Sequence, residues 1–235
     1  MQITNKYKHI FFDLDHTLWD FETNAKATLN VLYNQYNLLD IGITDFNIFF
    51  EKYSYHNHKL WAKFTKGLIK QDELRWKRMW LTLVDFKIAN RDLSLQLSAG
   101  FLELLPNQTN LFPYTFEILE YLKTKGYQLH LITNGFNAIQ DNKLKSSNLK
   151  PYFNQVITSE SSSSIKPQKE IFYYALNKAN AKLHESIMIG DNIEADIEGG
   201  INAGMDTVFV NHLTTEKYLK ANYTIFNLKE LENFL

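Results

Sequence analysis

No cysteine occurs among the 235 residues. That absence removes disulfide staples, thiolate zinc sites and cysteine nucleophiles together. Only 4 prolines and 9 glycines are present, which argues against a turn-rich all-β fold and for long helices. Neither charge sign dominates. Lys and Arg number 25 against 26 Asp and Glu, for a formal charge of −1, so the basic excess of a dedicated nucleic-acid binder is missing and no nucleic-acid polymer is expected as a partner. No run approaches the ~20 apolar residues that span a bilayer, and the apolar stretch before Asp13 is too short for a signal-peptide core. A soluble cytoplasmic protein without a membrane partner is expected.

What is present is ordinary for a globular chain: 45% hydrophobic and 22% charged residues. The length suits one large domain or a domain carrying a sizeable insertion. Short apolar runs at His9 to Phe12, Gln128 to Ile132, Gln155 to Thr158, Ile187 to Ile189 and Thr207 to Val210 read as buried strands. Between them, Phe116, Leu119 and Leu122, then Ile171, Ala175 and Ala179, then Ile193, Ile197 and Ile201 recur at helical spacing. Strands alternating with helices predict an α/β fold, a Rossmann-like doubly wound parallel sheet covered on both faces.

Residues 19–111 break the alternation. Ala25, Leu29, Leu32, Tyr36 and Leu39 share one helix face, and Asp45 to Phe64, Gln71 to Phe86 and Leu93 to Leu105 also carry helical patterning. Some ninety residues of helix exceed any normal connection. The expected organisation is a core of residues 1–18 and 112–235 with an all-helical cap domain, 19–111, inserted after the first strand. The low-complexity tract Ser161 to Ser164 reads as a loop between strand and helix.

Four short motifs carry the chemistry, each placed where an apolar strand gives way to polar residues. Asp13 and Asp15 stand two apart after the first strand; such a pair repels unless a cation intervenes, and magnesium, a hard ion that takes oxygen ligands, suits it. A carboxylate there can also act as a nucleophile, although acids after strands often simply cap the next segment. Thr133-Asn134-Gly135 supplies a hydroxyl and backbone N–H groups to an anion, or forms an ordinary turn. Lys166-Pro167 offers a cation to a phosphate at a helix start. Gly190 and Asp191 followed by Asp196 offer a further metal ligand, and an acid able to anchor Lys166 or a metal-bound water. Any one of these is commonplace. A parallel sheet, however, would bring all four to the same edge, where ligands bind in open α/β folds.

Together the motifs resemble those of the haloacid dehalogenase superfamily: Asp13-x-Asp15-x-Thr17, Thr133-Asn134-Gly135, Lys166-Pro167 and Gly190-Asp191-x-x-x-x-Asp196. The helical insertion is similar to that superfamily's C1 cap. The stretches Phe11 to Phe21, Ile132 to Phe136 and Gly199 to Gly204, with Leu60-Trp61, Gly67-Leu68-Ile69 and Leu74-Arg75, resemble the pyrimidine 5′-nucleotidases within it. One departure is the run of four serines, where relatives often carry an acidic or glycine-containing loop. The resemblance implies a magnesium-dependent phosphomonoesterase with an aspartyl-phosphate intermediate. Asp13 would be the nucleophile and Asp15 the general acid and base. Asp13, the Asp15 backbone carbonyl and Asp191 would hold Mg2+, with Asp196 supporting the metal or the lysine. Thr133, the Asn134 backbone and Lys166 would hold the phosphate.

The expected partner is a small phosphate ester, foremost a pyrimidine nucleoside monophosphate, with the protein a monomer or small homo-oligomer. Trp19, Trp61 and Arg75, along with Phe64 and His58, are candidates for contacting the organic part of the substrate, although aromatic residues in such a position commonly serve packing. A sugar phosphatase differs only in its cap and stays open. A dehalogenase would need neither Asp15 nor Asp191. A signalling receiver domain or a non-catalytic protein using a phosphorylatable Asp is the alternative from another class.

Overall fold

The computed structural model describes residues 6–235; residues 1–5, part of the 1–18 core segment, lie outside the described residues. Two compact units are present: the residues up to Phe21 together with Thr109–Leu235, and Glu22–Gln108. The boundaries fall a few residues inside 19–111 because the two connecting strands pair with each other. Trp19 forms an antiparallel bridge with Leu111, the Asp20 N–H donates to the Asn110 carbonyl, and the Phe112 N–H donates to that of Leu18. Trp19 therefore belongs to the first unit.

The second unit is helical, with α1 (Phe21–Gln35), α2 (Phe46–Thr65), α3 (Gln71–Asp85) and α4 (Arg91–Leu104). Asp45 caps α2 by accepting the Asn47 N–H at 2.7 Å, and Asn90 caps α4 through the Leu93 N–H at 3.0 Å; each satisfies a donor the helix itself cannot. The apolar face expected to run on to Leu39 stops earlier. Asn37 adopts a left-handed φ of 46°, and the Leu38 N–H closes back onto the Tyr33 carbonyl, an asparagine-based C-terminal cap. Leu38 is thereby buried and Leu39 exposed. In the core of this unit the Arg78 guanidinium lies 4.8 Å from the centre of the Phe101 ring and donates to Asn57 Oδ1 at 3.0 Å.

The first unit is built on a parallel sheet. Among the described residues its strands are β1 (His9–Phe12), β2 (Gln128–Thr133), β3 (Gln155–Thr158), β4 (Ser186–Gly190), β5 (Asp206–Val210) and β6 (Tyr223–Ile225), in the order β3-β2-β1-β4-β5-β6. β1 and β4 are buried throughout, as strands apolar on both faces must be. The helices are α5 (Thr115–Thr124), α6 (Asn137–Ser146), a short α7 (Ser159–Ser162), α8 (Lys169–Lys178) and α9 (Gly199–Ala203). Phe11, Ile132 and Met188 pack with Ile171, Phe172 and Ala175 of α8 on one face. Gly200 lets α9 approach closely; a Cβ there would come within 2.8 Å of the Thr207 methyl. Among the described residues no helix is long and apolar enough to cross a membrane.

Three local expectations need correction. Ile193, Ile197 and Ile201 do not form one buried stripe: Ile197 is buried, whereas the other two are exposed. Residues Ile193–Glu198 form a π-helical turn, whose wider pitch breaks the 3.6-residue period. Phe116 is likewise exposed, and the inward face of α5 is carried by Ile118, Leu119 and Leu122. The serine tract is only partly a loop. Thr158 accepts the Ser161 N–H at 3.0 Å while Ser161 Oγ accepts the Thr158 N–H at 2.9 Å, a reciprocal cap that makes α7 a single helical turn.

Inside the sheet, His9 and His130 stack at 5.4 Å with Nδ1 of one 3.1 Å from Nε2 of the other. Burial, then the neighbouring His9, pushes the His130 pKa down from 6.5 to about 4. A depressed histidine pKa gives stability that is complete above the unfolded value and is lost as the pH falls through the folded one. Stability is therefore expected to drop between pH 6.5 and about 4, His130 contributing up to about 3 kcal/mol. Urea titrations across that window should show a shallower slope in His130→Phe.

Candidate active site

The site forms where β2, β1 and β4 end side by side. β1 pairs in register with both neighbours, Phe12 opposite Leu131 and Ile189, so Asp13 leaves the sheet one residue before the level of Thr133 and Asp191, and the three stand together at its end. The chain runs outward from β1 through β2 to β3, then crosses back to β4 on the other side. This reversal opens the crevice in which α/β sheets bind ligands. The Asp13 N–H is held by the Ile189 carbonyl at 2.8 Å.

Lys166 is the centre of the charge network. Its ammonium is buried and lies 2.6 Å from Asp13 Oδ1 and 2.6 Å from Asp196 Oδ1, and it donates to the Ile132 carbonyl at 2.6 Å. Asp13 and the Ile132 carbonyl accept hydrogen bonds from it, while Asp196 neutralises it as an ion pair and a third N–H is left to donate elsewhere. Burial works against its charge, but Asp13 and Asp196 outweigh burial and raise its pKa. The lysine is delivered by a segment fixed to the second motif: Asn134 Nδ2 donates to the Lys166 carbonyl at 3.0 Å, and its Oδ1 accepts the Lys166 N–H at 2.8 Å. The Asn134 side chain is thus a backbone clamp, leaving only its main chain for an anion. Ser159 of α7 secures the same turn by donating to the Asn134 carbonyl at 3.1 Å.

Asp196 also accepts the Asn192 N–H at 3.0 Å. Its carboxylate lies where a Cβ on residue 190 would stand, so only glycine at 190 permits that close approach. Asp191 is oriented by Thr17, whose hydroxyl donates to Oδ1 at 3.1 Å.

Oxygens of Asp13, Asp191 and Asp196 lie within 4.8 Å of one another. With one ammonium among three carboxylates, the cluster is short of positive charge. Burial pushes Asp13 up to about 7, opposed by Lys166 and reinforced by Asp196; burial, then Asp196 and Asp13, pushes Asp191 well above its ordinary value. Converging hard oxygen donors with excess negative charge fit a divalent cation such as magnesium, and such a charge would draw both pKa values down again.

The Asp15 carboxylate faces elsewhere. It meets Lys143 Nζ at 2.5 Å and Gln140 Nε2 at 3.0 Å, both from α6. Burial raises its pKa, but Lys143 and then Gln140 outweigh this and leave it lowered. Gln140 also donates to Thr133 Oγ1 at 2.7 Å, which accepts the Gly135 N–H at 3.1 Å as well. With its acceptor capacity taken, the Thr133 hydroxyl keeps its proton to donate.

Asp13, Thr133, Asn134, Lys166, Asp191 and Asp196 are therefore gathered at one sheet edge, with Asp15 beside them. Trp19 is not a surface platform for a substrate ring. It is fully buried, pressed under Lys143 Nζ at 4.2 Å, and its place in the β-bridge explains why. Trp61 and Arg75 sit in the helical unit, Trp61 edge-on to Phe64 at 5.6 Å and Arg75 Nη1 3.7 Å from Asp72. Gln140 and Lys143 escaped the sequence reading. No local signal marked them: only the structure shows that the buried side of α6 is Gln140, Lys143 and Leu144, two of them polar and so in need of polar partners inside.

The family model for haloacid dehalogenase-like hydrolases matches residues 10–210, spanning every one of these motifs. The chain belongs to that family. It is 33% identical over 229 residues to the pyrimidine 5′-nucleotidase PynA of Streptococcus pneumoniae, covering 96% of this chain and 93% of that protein. It is 30% identical over 235 residues to the pyrimidine 5′-nucleotidase YjjG of Escherichia coli, covering 98% of each. Among solved structures it is similar to the putative hydrolase YfnB of Bacillus subtilis, crystallised with magnesium, at a TM-score of 0.87 and 27% identity over 97% of this chain and 98% of that one.

Proposed function

We propose that this haloacid dehalogenase-like hydrolase is a magnesium-dependent phosphomonoesterase working through an aspartyl-phosphate on Asp13, and that its substrates are pyrimidine nucleoside 5′-monophosphates. The buried contact of Asp13 with Lys166, beside Asp191 and Asp196, supports the chemistry. Similarity that runs through residues 22–108 as well as the α/β unit supports the substrate, since the helical unit is where members sharing this chemistry would differ in substrate.

In this reading an Asp13 carboxylate oxygen attacks phosphorus, and the ester oxygen leaves with a proton from Asp15. Asp15 then takes a proton from the water that attacks the phosphorus of the aspartyl-phosphate, releasing inorganic phosphate and restoring Asp13. Lys166 and the Thr133 hydroxyl hold the nonbridging oxygens as their charge redistributes, which is most of what phosphoryl transfer asks of a protein. Magnesium, when bound, supplies charge neutralisation at the phosphoryl group, and Asp13, Asp191 and the Asp15 backbone carbonyl would hold it. Asp196 serves Lys166. Trp61 and Arg75 would face the organic part of the substrate.

Purified protein with magnesium should release inorganic phosphate from pyrimidine nucleoside 5′-monophosphates with kcat/KM at least about tenfold above purine and sugar phosphates, a difference of roughly 1.4 kcal/mol. EDTA should stop release and magnesium restore it. Equal rates on purine and pyrimidine nucleotides, or a preference for sugar phosphates, would reject the substrate; activity that survives EDTA would reject the metal.

A further inference from the structure

Lys143 has no part in the mechanism as stated, yet it is one of the most buried cations in the chain. Its side chain is 3% exposed and ends 2.5 Å from Asp15 Oδ1. From above, the ammonium is packed against the rings of Trp19 at 4.2 Å and Phe21 at 5.6 Å. The second carboxylate oxygen of Asp15 is taken by Gln140 at 3.0 Å, one turn earlier on α6, and Gln140 is itself fixed to Thr133 at 2.7 Å. Both oxygens of Asp15 are thus gripped from one helix. The helix is in turn locked onto the core by Leu144 and by the capped turn of α7, where the Asn137 N–H donates to Glu160 at 2.7 Å.

A buried ion pair is poor value as a stabilising device, because desolvation offsets most of the attraction. Its better use is to fix an orientation. Left alone, a carboxylate two residues from Asp13 would rotate toward any cation held by Asp13 and Asp191, and its oxygens would become ligands instead of proton carriers.

We propose that Lys143, assisted by Gln140, is a positioning residue. It holds the Asp15 side chain off the Asp13–Asp191–Asp196 cluster and aimed at the leaving oxygen, with Trp19 serving as the wall that keeps the ammonium in place. This rests on the phosphomonoesterase reading and on Asp15 as its acid. It also gives Trp19 a role at the site different from substrate contact.

A misaimed acid has a distinct kinetic signature. Loss of proton delivery penalises a leaving group that needs the proton and spares one that does not, and general acid catalysis is worth roughly 10²–10⁴ in rate. The test compares phenyl phosphate with 2,4-dinitrophenyl phosphate, which are similar in shape and differ in leaving-group basicity. The quantity read is kcat/KM, which covers the steps up to loss of the leaving group. In Lys143→Met the value should fall about a hundredfold or more on phenyl phosphate and less than about fivefold on the dinitrophenyl ester. Lys143→Gln carries the same expectation should the methionine variant fail to fold. Equal losses on both esters, or an unchanged ratio, would overturn the positioning role while leaving the phosphatase reading intact. A wild-type protein inactive on both esters would overturn the two together.

Discussion

Asp13→Asn is expected to abolish phosphate release, with kcat lower by at least about four orders of magnitude and the fold retained. The amide is isosteric, but it is a poor nucleophile and cannot carry the charge that Lys166 pairs with at 2.6 Å. Retention of the fold follows from the environment. Asp13 is buried and its pKa already stands near 7, so a neutral side chain relieves the carboxylate cluster even as it weakens one ion pair. Thermal melting of the variant beside its phosphate-release rate separates loss of chemistry from loss of structure. Substantial residual activity in a folded variant would remove Asp13 from the nucleophile's role.

The second large effect is on Lys166→Met. Here both activity and stability should fall, the latter by roughly 3–5 kcal/mol in the presence of EDTA, because Asp13 and Asp196 are left buried and unpaired. Asp196 is 1% exposed and cannot recover water. Two further results follow from this cause. Asp196→Asn introduced into the Lys166→Met background should restore part of the lost stability, a non-additivity expected of groups in one network. Magnesium should reduce the deficit too, since a ligand that binds only the folded state adds to its stability. Urea titrations of the single and double variants, with and without the metal, measure all three quantities. An additive double variant would mean that the buried triad is not the unit described here.

Much of this site could be read from residues alone, for a definite reason. Asp13, Thr133 and Asp191 each follow an apolar run that is buried on both faces, and a parallel sheet has only one end at which such positions meet. The strand β6 could not be read that way: three residues, Tyr223–Ile225, at the sheet edge carry too little pattern to register. Asp196 was legible as an acid near Lys166, whereas the π-helical turn that presents it was not, because its wider pitch leaves Ile193 and Ile201 at apparently regular spacing. Trp19 invited a substrate role by its place next to the first motif. Its burial is decided by the bridge to Leu111, a pairing across some ninety residues that no local pattern reveals. Lys143 and Gln140 were hidden by the opposite bias. Polar residues on a short helix read as solvated, and only tertiary structure shows that Asp15 draws them inward.

The same distinction bears on the chemistry. Sequence similarity of 30–33% to two pyrimidine 5′-nucleotidases supports the proposed substrate, while the geometry around Asp13 supports the proposed chemistry. The most direct test of the account is therefore made on Asp13 itself. Acid-quenching the enzyme during turnover of a 32P-labelled pyrimidine nucleoside 5′-monophosphate in magnesium should trap the label on the peptide carrying Asp13, in a linkage cleaved by hydroxylamine. Label is expected on that peptide in the wild type and none in Asp13→Asn. Phosphate released at full rate with no label on this peptide, or label on another residue, would contradict it.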